Sequence, residues 1–141
     1  VRRHGRDGVG RTVAHFAIDA ARRYSHIGSN GTEDPLLRIV SRRKLREFWE
    51  APGRSDSEAA LRTWFDVASA ARWSNYADIK KDYGGNVDLA HGKYVFDIRG
   101  NRYRLICVID FVRHGVLVLW VGTHGDYDRL NRNDGAGLKA L

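Results

Sequence analysis

The chain has 141 residues, enough for one ordinary domain and too few for two. Twenty-four Lys and Arg stand against 17 Asp and Glu, a net charge of +7 that bears on partners and leaves the fold open. Apolar residues at 43% exclude a disordered chain, and the single Cys107 excludes a disulfide framework and a Cys-rich zinc site. No apolar run nears the roughly 18 residues of a membrane span. Nucleic acid is the leading polyanionic partner; the bland alternative is charge that serves solubility alone. A lone cysteine inside an apolar run suits a reducing cytoplasm.

Residues 1–35 hold five glycines, six arginines and three histidines with little periodicity. Only Val13–Tyr24 has loosely helical spacing, and Gly28–Gly31 followed by Asp34-Pro35 reads as a linker. His4, His15 and His26 match no metal-binding spacing. This stretch is expected to be a poorly structured N-terminal extension ahead of a domain spanning 36–141. The chain opens on Val1 and contains no Met, so the start is expected at Leu37; residues 37–141 keep an excess of five positive charges.

From Leu37 the pattern sharpens. Leu37–Val40 predicts a short strand, and Ser41 offers an N-cap hydroxyl to a helix whose Leu45, Phe48 and Trp49 share one face. Pro52-Gly53 ends that helix. Ser55 and Glu58 have capping-box spacing, opening a second helix with Leu61, Trp64, Phe65 and Ala68 on one stripe and running to about Trp73. A helical turn over Ala77–Tyr83 stops at Gly84-Gly85.

The remainder predicts an antiparallel meander. Tyr94, Phe96 and Ile98 alternate with Lys93, Val95 and Asp97, and Gly100-Asn101 supplies a tight turn. Arg102–Val112 is the longest strand, with Arg102 and Arg104 on one face and Tyr103, Leu105 and Cys107 on the other. Arg113-His114-Gly115 turns into Val116–Val121, and Thr123 caps a last helix over Asp126–Asn131. The fold class is α+β: two N-terminal helices packed on one face of an antiparallel meander, with a short C-terminal helix. The opposite face must be polar or covered by something else.

If the strands pair this way, Arg104, His124, Tyr127, Asp128 and Lys80 converge. Guanidinium, imidazole, phenol and ammonium groups, without a metal constellation, suit cleavage of a phosphodiester by an RNA 2′-hydroxyl. That reaction needs a base for the 2′-proton, a cation for the phosphorane charge and an acid for the 5′-oxygen. Each residue also has a bland role. Arg104 can be a solvated edge charge, His124 can bridge the last helix, Tyr127 can pack its ring on the sheet, and Lys80-Lys81 can be an exposed helix face. Trp49, Trp64, Phe48 and Phe65 belong to the core by spacing; Trp120 is either core or a stacking surface for a base.

Four segments carry a family resemblance: Arg38–Phe48, Ala77–Lys80, Gly100–Leu105, and Val121-Gly-Thr-His-Gly-Asp-Tyr-Asp128. Over residues 37–130 the chain resembles the HigB toxins, mRNA interferases of type II toxin–antitoxin modules in the RelE-like superfamily. The resemblance implies a RelE-like fold and a metal-independent endoribonuclease without cofactor, cutting mRNA, often on the ribosome. It implies a HigA-type helix-turn-helix antitoxin, operator DNA bound only through that complex, no membrane association and a cytoplasmic location. Arg104 matches the family's phosphate clamp, and Lys80 the lysine of Asp-Ile-Lys. His124, Tyr127 and Asp128 match its Thr-His-x-x-Tyr-Asp signature, with the choice of base and acid left open. Lys81, Lys93, Asn101 and Arg102 are the expected RNA contacts. Two positions depart from the family: Gly125 is smaller than usual, and Asp97 replaces a common Asn. The competing expectation is a non-catalytic nucleic-acid-binding domain or a co-repressor acting with its antitoxin.

Overall fold

A computed structural model of the chain describes residues 38–141. The expectations for 1–35 and for Leu37 lie outside the described residues.

The elements run β1 (Arg38–Val40), α1 (Arg42–Glu50), a 3-10 turn (Ser55–Ser57), α2 (Glu58–Ser69), α3 (Tyr76–Tyr83) and a second 3-10 turn (Gly84–Asn86). Then follow β2 (Val87–Ala90), β3 (Lys93–Ile98), β4 (Tyr103–Asp110), β5 (Gly115–Thr123), α4 (His124–Leu130) and α5 (Arg132–Lys139). The five strands form one α+β sheet in the order β1-β5-β4-β3-β2. β1 runs parallel to β5, and every other pairing is antiparallel.

Alternation along the strands decides the two faces. Phe96, Leu105, Val116 and Val118 meet Leu45, Leu61, Trp64 and Ile79 from the helices in the main core. Phe96 sits at its centre, fully buried, with edge-on rings of Trp64 at 5.5 Å and Tyr83 at 4.8 Å. α2 stops at Ser69, four residues short of the expectation. Trp73 instead turns inward as a separate buried anchor, its indole N–H donating to Asp82 at 2.8 Å.

The second face carries its own small core. Val95 and Ile106 pack under Leu138 of α5, flanked by Trp120, Tyr127 and Leu130. A bulge in β5 sets this up: Ile106 faces Trp120 while Cys107 faces Val118, so Leu119 is the extra residue. α5 was absent from the sequence expectation, as was β2. α5 is interrupted by positive φ at Asn133, Asp134 and Gly135, and its Gly135 backbone lies against the His91 ring, where a Cβ would overlap it. His91 and Gly92 both have positive φ in the two-residue turn joining β2 to β3, so α5 docks on that hairpin.

Three local expectations are corrected. Ser41 precedes α1 with φ 80°, and its side chain makes no cap hydrogen bond. The Ser55/Glu58 box is displaced by the 3-10 turn, and Ser57 donates its hydroxyl back to the Arg54 carbonyl at 2.7 Å. The β3–β4 connection is a four-residue loop, Arg99 to Arg102, with Arg99 and Gly100 at positive φ.

Candidate active site

The site forms on the second face, where β3, β4 and β5 meet α4. Register places Asp97 opposite Arg104 and Arg104 opposite Gly122. One residue beyond, β5 hands over to α4. Thr123 caps that helix as expected, its hydroxyl accepting the Asp126 N–H at 3.1 Å, and the His124 N–H donates to the Arg102 carbonyl at 2.9 Å. α4 therefore starts two residues earlier than its pattern suggested, on His124 itself.

Helical spacing then groups the signature residues. His124 Nε2 and Asp128 Oδ2, one turn apart, are 3.4 Å from each other. Tyr127 turns its ring to Arg104, whose guanidinium carbon lies 5.9 Å from the ring centre. Arg104 is 8% exposed and held from several sides. Nη1 donates to the Tyr103 carbonyl at 3.1 Å and the Asn101 carbonyl at 3.3 Å, Nη2 donates to Asn101 Oδ1 at 2.6 Å, and Nε faces Asp97 at 3.2 Å. Of five N–H donors, one on Nη2 meets no acceptor among the described residues and faces an incoming oxygen.

Charge around this guanidinium is mainly acidic. Burial raises the Asp97 carboxyl above the ordinary aspartate value, against the pull of Arg104, and Asp88 pushes it further the same way. Burial also raises the Tyr127 phenol, with Asp88, Asp128 and Asp97 adding to the rise and Arg104 opposing it. Asp88 on β2 was missed in the sequence because β2 itself was missed. His124 Nδ1 is buried and has no hydrogen-bond partner among the described residues, while Nε2 is the ring nitrogen that faces Asp128.

Arg104, His124, Tyr127, Asp128 and Asn101 are thus brought together. Lys80 lies at the margin: its Nζ donates to the Val87 carbonyl at 3.2 Å, one residue before Asp88. Lys81 is exposed beside Asp78 at 3.8 Å. Lys93, expected to meet RNA, is 5% exposed on the second face.

Arg102 does not share a face with Arg104, which corrects the strand pattern. It lies in the loop before β4 and reaches Asp56 at 3.1 Å. Asp56 also faces Arg99 at 3.8 Å and accepts the Tyr103 hydroxyl, so one carboxylate from the 3-10 turn pins the loop that carries Asn101 and seats His124. The Tyr103 hydrogen bond, then Arg102 and Arg99, hold the Asp56 carboxyl below its ordinary 3.8. Its stabilising contribution is therefore complete above 3.8 and is lost as pH falls through the lowered value. Thermal melts followed by circular dichroism should show Asp56→Asn melting below wild type at neutral pH. The two curves should converge as acid protonates Asp56 in the wild type.

The profile of the HigB toxin family, described as the RelE-like toxic component of a toxin–antitoxin system, matches residues 57–130. No individual curated protein matches the chain. The matched span runs from the 3-10 turn ahead of α2 to the end of α4 and contains Lys80, Asp97, Arg104, His124, Tyr127 and Asp128. The chain belongs to the HigB toxin family and is a RelE-like toxic component of a toxin–antitoxin system.

Proposed function

We propose that this toxin is a metal-independent endoribonuclease that cuts mRNA, on the ribosome, and so stops translation. The observation that carries this is the meeting of Arg104, His124, Tyr127 and Asp128 at one end of the second face. In the proposed step an RNA 2′-oxygen attacks the neighbouring phosphorus and gives up its proton to a base. The bond to the 5′-oxygen breaks, and that oxygen takes a proton from an acid, leaving a 2′,3′-cyclic phosphate and a 5′-hydroxyl. Arg104 meets the charge on the phosphorane. His124 and Asp128 sit close enough to share the proton transfers. Tyr127, whose phenol is raised above its ordinary 10, stays protonated and donates a hydrogen bond.

Lys80 would contact the RNA backbone from the β2 margin. Asn101 and Arg102, exposed on the loop, and Lys81 would line the RNA path, while Lys93 adds charge from beneath. Residues 36–141 would act as one RelE-like unit, with α1 and α2 as the helical layer and 1–35 as an extension. The antitoxin that the family implies would be a HigA-type helix-turn-helix protein, the pair binding its operator, and the toxin would work in the cytoplasm.

Primer extension on mRNA from cells expressing the chain tests the activity. New 5′ ends inside reading frames, lost when the same message is not translated, are the expected result; intact transcripts during growth arrest would overturn it. One observation favours a second reading, a binding domain that does not cut: Arg104 is buried and already held by Asp97 and Asn101.

Asp97→Asn separates these two readings through its cleavage rate, because both expect tighter binding and only the first expects faster cutting. Removing the carboxylate frees Arg104 for a bidentate phosphate contact and should tighten RNA binding roughly fivefold, with faster cleavage. Wild-type affinity should also rise as acidity neutralises Asp97, which protonates at higher pH than an ordinary aspartate. Asp97→Asn should lack that component. Binding titrations between pH 4 and pH 7 would show both effects.

A further inference from the structure

A groove of about 670 Å³ runs between α1 and the margin of β5, and none of the proposed cleavage residues lines it. β1 ends opposite Leu117, and no other described strand pairs with β5 beyond that point on this side. Phe48, Leu119, Trp120 and Leu130 form apolar walls. Trp120 is half-buried and lies down on Gly122, where any Cβ would overlap its indole. Gly122 faces Arg104 across β4 and β5, so the groove opens one strand away from the proposed phosphate clamp.

Its rim is unevenly charged. Glu47 is matched by Arg43 at 3.3 Å, and Asp126 by Arg129 at 2.5 Å. Lys44 and Arg54 form no ion pair among the described residues. The Lys44 ammonium rests near the Leu119 carbonyl at 3.4 Å, and the Arg54 guanidinium covers the Phe48 ring at 5.1 Å. Both are held at the groove as cations without a carboxylate partner.

We propose that this groove seats an unpaired RNA base beside the cleaved bond, stacked on Trp120, with Lys44 and Arg54 meeting the adjoining phosphate. An aromatic platform under a cationic rim is what single-stranded RNA uses without reading sequence. The proposal rests on the ribonuclease reading, which it extends from the cleavage residues to a neighbouring nucleotide.

The test uses the full chain and a single-stranded 2′-O-methyl oligoribonucleotide that cannot be cut, followed by fluorescence anisotropy. Trp120→Ala should weaken binding by about tenfold or more, and Trp120→Phe by much less. Lys44→Ala should weaken binding and flatten its salt dependence. Because Trp120 also packs near Ile106 and Leu138, a measurement on the unaltered chain accompanies these variants. Irradiation with a 5-iodouridine oligonucleotide should give an adduct at Trp120, located by mass spectrometry. A folded Trp120→Ala variant with wild-type affinity, or adducts only on other residues, overturns the proposal. So does a variant that keeps RNA affinity and loses its antitoxin, which would make the groove a protein-docking face. Failure of the ribonuclease reading looks different: transcripts stay whole while the Trp120 adduct still forms.

Discussion

Replacing Arg104 with alanine is expected, on the proposed ribonuclease activity, to slow RNA cleavage by about 10²–10³-fold and to relieve growth arrest, the scale seen when one donor to a developing anion is removed. Three hydrogen bonds from its guanidinium go to Asn101 and Tyr103, so the group is already oriented before substrate arrives. Arg104→Lys should recover only part of the rate, because an ammonium cannot keep the same fork of donors. The alanine variant also leaves Asp97 partly buried without its counter-charge. Arg104→Ala combined with Asp97→Asn removes that strain, so a rate still depressed in the pair reports lost chemistry. Single-turnover cleavage alongside thermal melts gives both quantities. If Arg104→Ala with His124→Ala stays fully toxic, the site lies elsewhere.

Phe96→Ala should produce the largest loss of stability, about 3–5 kcal/mol, by removing a buried ring and leaving a cavity. A domain of this kind has roughly 5–15 kcal/mol in total, so the variant should be partly unfolded at 37 °C. Two ring contacts disappear with it, those to Trp64 and Tyr83, which tie α2 and α3 to the sheet. Phe96→Leu keeps more of the apolar volume and should lose less. Val112, 85% exposed in the β4–β5 loop, is the control: its alanine variant should stay within about 0.5 kcal/mol of wild type. Urea titrations compare the three directly.

Much of this architecture is written in local pattern. β3 and β4 follow from alternation, β5 from a nearly continuous apolar run, and α1 and α2 from Leu45, Phe48, Leu61 and Trp64 at helical spacing. β2 escaped because Val87-Asp-Leu-Ala is a four-residue edge strand that exists through pairing with β3. α5 escaped because Asn133-Asp134-Gly135 breaks its backbone, and Leu138 is its only buried large apolar side chain. Thr123 took the cap that its position predicted, whereas Ser41 entered α1 in a left-handed conformation outside the usual cap geometry.

The site divides the same way. His124, Tyr127 and Asp128 are near in sequence, so helical spacing alone gathers them, and strand register adds Arg104. Asp56 and Asp88 were not legible as partners. Asp56 is 47 residues from the Tyr103 hydroxyl it accepts, and Asp88 acts across strands. Such pairings depend on tertiary structure that no local spacing encodes.

The strand order has a consequence for the newly made protein. Among the described residues β1 has one neighbour, β5, and Arg38 aligns with Gly115, so the earliest described strand of the sheet cannot be paired there until nearly the whole sheet has been synthesised. Contacts so distant along the chain delay folding, and at about 5–20 residues per second the intervening stretch takes several seconds to appear. His124, Tyr127 and Asp128 follow β5 immediately. On the proposed cleavage mechanism, a nascent chain lacks all three of these groups until β5 has emerged, which would give an antitoxin made at the same time an interval in which to be ready.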